Sequence, residues 1–508
     1  MSSRTIHNYH HAGLRFSAIL TFGYWCVLCQ LLAASDWFGI QIVDQDTKRG
    51  IPLAKLKTTD NTEYWTDNQG WIAFLEPGMM GKDIYFSIES PGYEYPKDGF
   101  EFQGFKLRTH PGARVQVAMN RANKAERLHR VTGNGLYRDS ELLGIPTPDN
   151  RSSWNAGVMG SDSVQMLPYR GKLFWIWGDT NLAHYPLGNF HVTAATSPMP
   201  KSDKTKIRQE LIDNAPYLTY FVDQESGSPK KILPDDAPGA VWLFGAFTIY
   251  DEHQNEMLIA HYSRHLSLGT MVEHGIAIWN DEKEIFEKKV TFDVLNNWQH
   301  PRGQAVQVKQ SEGDFIYFVE SFANTRVPAN LNAILDPNQY QSLAWDAKSK
   351  TYQWQSTLPP TTQKEEQAKL LANEMRSSDA RYNLQSNEES ISMHRSSIEW
   401  NSFRKRWILI GNEINLKSAP SHLGEVWFAE SDSIDGPWMN ATKIATHPKQ
   451  SFYNPRQHPV FSSDDGRIIY FEGTYTQSFS GNPIATPRYE YNQLMYRLDL
   501  SQFANLSD

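Results

Sequence analysis

After residue 155 the apolar residues fall into short bursts with a period near two, and one compound burst returns five times. Each copy has a polar opening, a short strand-like stretch, a turn, and an aromatic-rich stretch that stops on a polar residue. Four copies are clear: GSDSVQMLPYRGKLFWIWGDTN (160–181), HPRGQAVQVKQSEGDFIYFVES (300–321), HRSSIEWNSFRKRWILIGNE (394–413) and RQHPVFSSDDGRIIYFEGTY (456–475). A looser copy is WLFGAFTIYDEHQNEMLIAHYS (242–263), ending at His261 and Ser263. The clear copies end on or beside Asp179, Glu320, Glu413 and Glu472, which suggests a ring of acids around one centre. Units of this length hold four short strands, the content of a propeller blade. The predicted blades are 154–225, 238–296, 298–358, 390–448 and 452–502.

Upstream, 38–119 shows short alternating segments separated by turn residues, which predicts a small β-sandwich over 36–121. The linker 122–153 starts helix-like, turns strand-like at RVTGNGLYR, and is expected to complete a blade begun by the other end of the chain. The stretch 360–385 is polar and rich in helix formers, so a helical insertion is expected there. The predicted fold class is all-β: a small N-terminal β-sandwich followed by a five-bladed β-propeller.

Residues 1–35 read as an export signal. A weakly basic start precedes the apolar run 16–34, and small residues at 33–35 suit cleavage. The alternative is an uncleaved membrane anchor. Cys26 and Cys29 both lie in this leader, so the mature chain has no disulfide and no thiol nucleophile. The expected location is exported, periplasmic or extracellular, with no membrane span in the mature chain.

Composition narrows the partners. The net charge is −8 and no basic run stands out, which excludes a nucleic-acid surface. Aromatic residues make up 13% of the chain, suiting both a β-core and stacking on sugar faces. No nucleotide fingerprint, zinc pattern or nucleophile elbow is present. No cofactor is expected, though the channel of a propeller has room for a structural divalent cation.

Propellers bring the starts of their inner strands together at one mouth. Here those starts carry Asp162, His300 with Arg302, His394 with Arg395, and Arg456 with His458. Burying such groups without partners costs several kcal/mol each, so a wet pocket suits them better than a core. Glu413 and Glu472 join the binding set or pair with Arg395 and Arg456.

Two resemblances add to this reading. The run V-D, G-I-P-L, T-D-N-Q-G-W-I-A-F, S-P-G-Y-E in 43–94 resembles the carboxypeptidase-regulatory-like, transthyretin-type domain, implying an accessory role. The repeats after 154 resemble the five-bladed propeller glycosidases, the group of arabinanases, β-xylosidases and fructan hydrolases. That resemblance implies an Asp base or nucleophile on the first blade, matched by Asp162 with Asp179 as the nearby alternative. It implies a Glu acid on the third blade, matched by Glu320. The orienting Asp of the second blade has no counterpart; only the turn residues Asp251 and Glu252 are there.

Glycosidic cleavage needs one protonated and one ionised carboxyl. Glu320 follows the apolar DFIYFV and is expected to stay protonated; Asp162 sits among small polar residues and is expected to stay ionised. His300, Arg302, His394, Arg395, Arg456 and His458 would bind hydroxyls, a carboxylate or a sulfate. The expected function is an exported glycoside hydrolase with a carbohydrate substrate. The alternatives are a polysaccharide lyase using His300 or His394 with an arginine, and a non-catalytic glycan- or protein-binding propeller.

Overall fold

The computed structural model describes residues 36–148, 154–189, 192–200, 214–299, 303–386, 389–415, 421–463 and 465–503. The expected leader at 1–35 lies outside them, as do His300 and Arg302. Among the described residues no helix is long and apolar enough to cross a membrane.

Two four-stranded sheets form the N-terminal β-sandwich. One has the order Trp71–Phe74, Phe38–Asp44, Arg114–Arg121, Tyr93–Glu94; the other has Glu63–Trp65, Lys55–Thr58, Asp83–Glu89, Gly104–Arg108. Alternation sends Phe38, Ile40, Ile42, Leu56, Phe74 and Phe86 into one core between them.

Five antiparallel sheets follow. Blade 1 is Gln165–Tyr169, Lys172–Trp177, Thr193–Pro198 and Thr219–Tyr220. Blade 2 is Ala240–Tyr250, Glu256–Ser267, Thr270–Asn280 and Ile285–Phe292. Blade 3 has five strands, Gln304–Gln310, Gly313–Val319, Ala323–Pro328, Gln341–Asp346 and Thr351–Gln355. Blade 4 is Met393–Asn401, Arg406–Glu413, Val426–Ser431 and Met439–Ala445. Blade 5 is Ser451–Gln457, Ile468–Thr476, Asn492–Asp499 and, from far upstream, Glu126–Arg130.

The first strands of successive blades touch in chain order, from blade 1 through blade 5. The ring closes where Ser163 N donates to Thr474 Oγ1 (2.9 Å) and Asn454 Nδ2 donates to Ser163 Oγ (2.6 Å). A helix, Gln363–Leu371, stands between blades 3 and 4, opened by a capping box of Thr362 and Glu365.

Buried glutamines tie neighbouring sheets together. Gln165 bridges blades 1 and 2, donating to Leu243 O (2.8 Å) and accepting from Ala246 N (2.8 Å). Gln304 accepts from Ile398 N of blade 4 (2.7 Å), and Gln493 donates to Ser161 O just before blade 1 (2.9 Å). Gln457 donates to Ser397 O (2.9 Å) and Ile408 O (3.0 Å) of blade 4. Replacing Gln457 by Leu strips two buried carbonyls of their donor. It is expected to cost about 3 kcal/mol, read as a lower denaturant midpoint with an unchanged slope.

The linker departs from its sequence reading in one respect. Residues 126–130 are a strand where a helix-like start was expected, and the short helix Arg138–Leu142 comes later. Pairing outweighs the helix propensity of these residues, because Glu126–Arg130 lies antiparallel to the last strand, His129 opposite Met495.

This strand also docks the sandwich. The Arg127 side chain is fully buried and donates to Pro52 O (3.0 Å), Pro91 O (2.9 Å) and Ser90 Oγ (2.6 Å). Asn68 exchanges two 2.9 Å bonds with the Arg130 backbone. Glu126 pairs with both Arg49 and Arg497.

Candidate functional site

A small three-stranded sheet, Val158–Ser161, Thr180–Leu182 and Tyr185–Asn189, stands beside the first hairpin of blade 1. Asp162 and Asp179 sit at the junction of the two. Asp162 N donates to Asp179 O, and Gly178 N donates to Asp162 O, both at 2.9 Å. The chain kinks there, with Ser163 at φ 37° and Asn454, its partner from blade 5, at φ 53°. Non-glycine residues held in this region cost about 1–3 kcal/mol and cluster at working sites.

A cavity of about 200 Å³ opens at this point on the propeller axis. Its wall includes Asp162, Trp242, Gln304, Glu320, Arg395 and Arg456, drawn from all five blades. A second cavity of about 740 Å³ adjoins it, lined in part by Trp298, Glu320, Gln363, His394 and Arg395. Glu320 and Arg395 form an ion pair and belong to both walls.

The carboxyls have unlike surroundings. Asp162 accepts from Ser163 Oγ (2.5 Å), Tyr491 OH (3.2 Å) and Thr474 Oγ1 (3.4 Å), and Tyr453 also bonds to it. Burial outweighs these bonds and pushes Asp162 above the usual carboxylate range. Asp179 accepts from Trp242 Nε1 (2.9 Å), yet burial, helped by the charge of Asp162, pushes it up to about 6. Glu320 is 45% exposed and held by Arg395. Glu320 is therefore not in the dry setting expected of it, and Asp162 is pushed up where free ionisation was expected. The apolar residues before Glu320 face the blade interior, while its own carboxyl turns to the cavity and a cation.

The other predicted residues divide. Arg395 and Arg456 line the central cavity, and His394 lines the adjoining one. Burial holds His394 below its ordinary value, so its imidazole is neutral at pH 7. Glu413 lines neither cavity and accepts from Trp427 Nε1 (2.8 Å) on its own blade. His458 and Glu472 are fully buried together, 3.5 Å apart, under the rings of Trp175 and Phe461. The acids thus do not form one ring: Asp162, Asp179 and Glu320 gather at the hub, while Glu413 and Glu472 do not. The expected pairs of Glu413 with Arg395 and Glu472 with Arg456 are not formed; Arg395 takes Glu320, and Glu472 turns towards His458.

Several residues at the site escaped the sequence reading. Trp242 stands on blade 2, where the glycosidase resemblance wanted an Asp, and its indole N–H reaches Asp179. Tyr453 and Asn454 precede Arg456 in YNPR, a polar run that could have drawn notice. Tyr491 comes from a loop with no motif.

Buried acids, Asp179 and Glu399 among them, make stability depend on pH. Asp179 is raised to about 6, and Glu399, which accepts from Gln304 behind the cavity, to about 7, burial being the first cause of each. A raised carboxyl pKa gives stability that is complete below the unfolded value near 4 and is lost as pH rises through 6–7. Tm is expected to fall between about pH 4.5 and pH 8. The fall is expected to narrow in the Asp179→Asn, Glu399→Gln double variant, as thermal melts across that range would show.

No protein-family model matches the chain, and no curated protein matches it. Among solved structures it is similar to an exo-1,5-α-L-arabinanase from a bovine ruminal metagenomic library, at 13% identity and a TM-score of 0.35. That match covers 68% of this chain and 95% of that one. It is also similar to an endo-arabinase from Bacteroides thetaiotaomicron, at 12% identity and a TM-score of 0.32, covering 66% and 97%. An α-L-arabinanase from Cellvibrio cellulosa, solved with arabinohexaose, gives 8% identity and a TM-score of 0.33, covering 66% and 90%. At this level the likeness assigns no residue a role.

Proposed function

We propose that the protein is an exported glycoside hydrolase that works at the axial cavity of the propeller. One observation carries the reading: carboxyls from different blades meet at one cavity in opposite electrostatic settings. The buried Asp162–Asp179 pair favours holding a proton, and Glu320, beside Arg395, favours its charge. A proton donor and an ionised carboxylate are what glycosidic cleavage requires. In this reading Asp162 protonates the leaving oxygen, with Asp179 sharing the proton. Glu320 activates water or attacks the anomeric carbon. Trp242 orients Asp179 and lends an indole face to the sugar. The adjoining cavity, entered past Glu320 and Arg395, gives room for further sugar units, so the substrate is a chain.

Release of reducing ends from a panel of plant, algal and bacterial polysaccharides tests the proposal. Turnover of at least one glycan is expected, and its loss in Glu320→Gln. A second reading, a lyase, is favoured by the neutral His394 beside Arg395, a base next to a cation. Products that absorb in the ultraviolet through a new C=C bond would establish it in place of hydrolysis. Binding with no product from any glycan would leave a non-catalytic propeller.

A further inference from the structure

Arg456 is an unusual wall for a sugar cavity. It is 7% exposed and lines the central cavity. Among the described residues its guanidinium makes no ion pair within 4 Å, and its Nε has no hydrogen-bond partner. Its cross-strand neighbour Glu472 is turned away, against His458. Arg395 is occupied with Glu320. Glu399 acts on Arg456 only at a distance, has one oxygen taken by Gln304, and is pushed up to about 7 by burial. Burial lowers Arg456 to about 10, which still leaves it charged at any physiological pH.

A buried cation with no carboxylate in contact is expensive, and folded proteins rarely retain one idle. A planar guanidinium is best satisfied by two oxygens of one anionic group. We propose that the central cavity takes a sugar unit carrying an anionic oxygen substituent, a carboxylate or a sulfate ester, and that Arg456 is its counter-ion. The inference rests on the glycan reading above and specifies its substrate class. It also gives the cavity a division of labour: Arg456 anchors the substituent, while Asp162 and Glu320 face the bond to be broken. A neutral sugar would offer Arg456 hydroxyl oxygens but no counter-charge.

Calorimetric titration of the full-length protein tests this. The probes are glucuronate, galacturonate and galactose 6-sulfate, each against its neutral parent sugar, with wild type, Arg456→Gln and Arg456→Lys. At least one acidic sugar is expected to bind ten-fold or more tightly than its parent. The advantage is expected to shrink with added salt, to vanish in Arg456→Gln and to return in part in Arg456→Lys. The uronate and sulfate arms show which substituent is taken. Equal affinity for acidic and neutral sugars overturns the inference, and that comparison needs no variant to fold. Retention of the acidic advantage in a folded Arg456→Gln overturns it as well. Neutral glycans bound and cleaved while acidic ones are ignored would leave the hydrolase reading standing alone. No binding of any sugar, with no turnover, removes both.

Discussion

Asp162→Asn is expected to lower turnover of the cleaved glycan by about a thousand-fold, the middle of the range for loss of a general acid. The argument starts from the environment of the group. Ser163, Thr474, Tyr453 and Tyr491 surround its carboxyl, and Asp179 stands against it across a 2.9 Å backbone bond. Asn keeps the shape and most of these contacts but cannot give up a proton. The variant also no longer has a carboxylate to desolvate, so its Tm at pH 7–8 is expected to equal or exceed that of wild type. Loss of activity without loss of stability is the signature of a working site, where function is kept at some cost to the fold. Steady-state kinetics and a thermal melt on the same preparation check both halves. Turnover within three-fold of wild type would remove Asp162 from the chemistry. With Asp162 as donor, activity is also expected to decline as pH rises through the raised values of the Asp162–Asp179 pair, and Asp179→Asn is expected to move that limb.

A chain lacking residues 36–130 is expected not to fold, whereas one lacking 36–121 is expected to fold with a reduced Tm. The two differ by the strand Glu126–Arg130, all five of whose residues are buried. Without it, the edge Asn492–Asp499 loses its backbone partners and leaves Leu494, Met495, Tyr496 and Leu498 next to an open groove. Burying Leu128 alone contributes about 2 kcal/mol, and each ladder bond about 1 kcal/mol. Together with the Arg497–Glu126 pair, the sum is a large share of the roughly 5–15 kcal/mol that holds a domain together. Soluble yield and the cooperativity of thermal melts distinguish the two chains. Equal melts for both would show that the strand is dispensable.

The repeats were readable because an inner strand and its hairpin partner need period-two apolar faces, which survive in the one-dimensional pattern. The partner of Asn492–Asp499 was harder. ANKAERL has good helix formers, and only the exposed edge of blade 5, 371 residues away at Arg497, makes it a strand. At the site, Asp162, Glu320, Arg395 and Arg456 stood out as charged residues at strand starts and ends. His458 looked equivalent but is not: the ladder shifts between Tyr453 and Arg456, and His458 lies past the strand end, where Pro459–Phe461 turns inward. Glu472 follows it inside, because the face it shares packs against Trp175 of blade 1. Trp242 was invisible for the opposite reason. A tryptophan in an apolar run reads as core, and only the fold brings its indole N–H to Asp179.

The strand Glu126–Arg130 leaves the ribosome long before its partner exists. Through the synthesis of all five blades it must wait without a strand partner, held only against the sandwich. The last blade therefore cannot complete its sheet by stages; it is finished only when Asn492–Asp499 arrives.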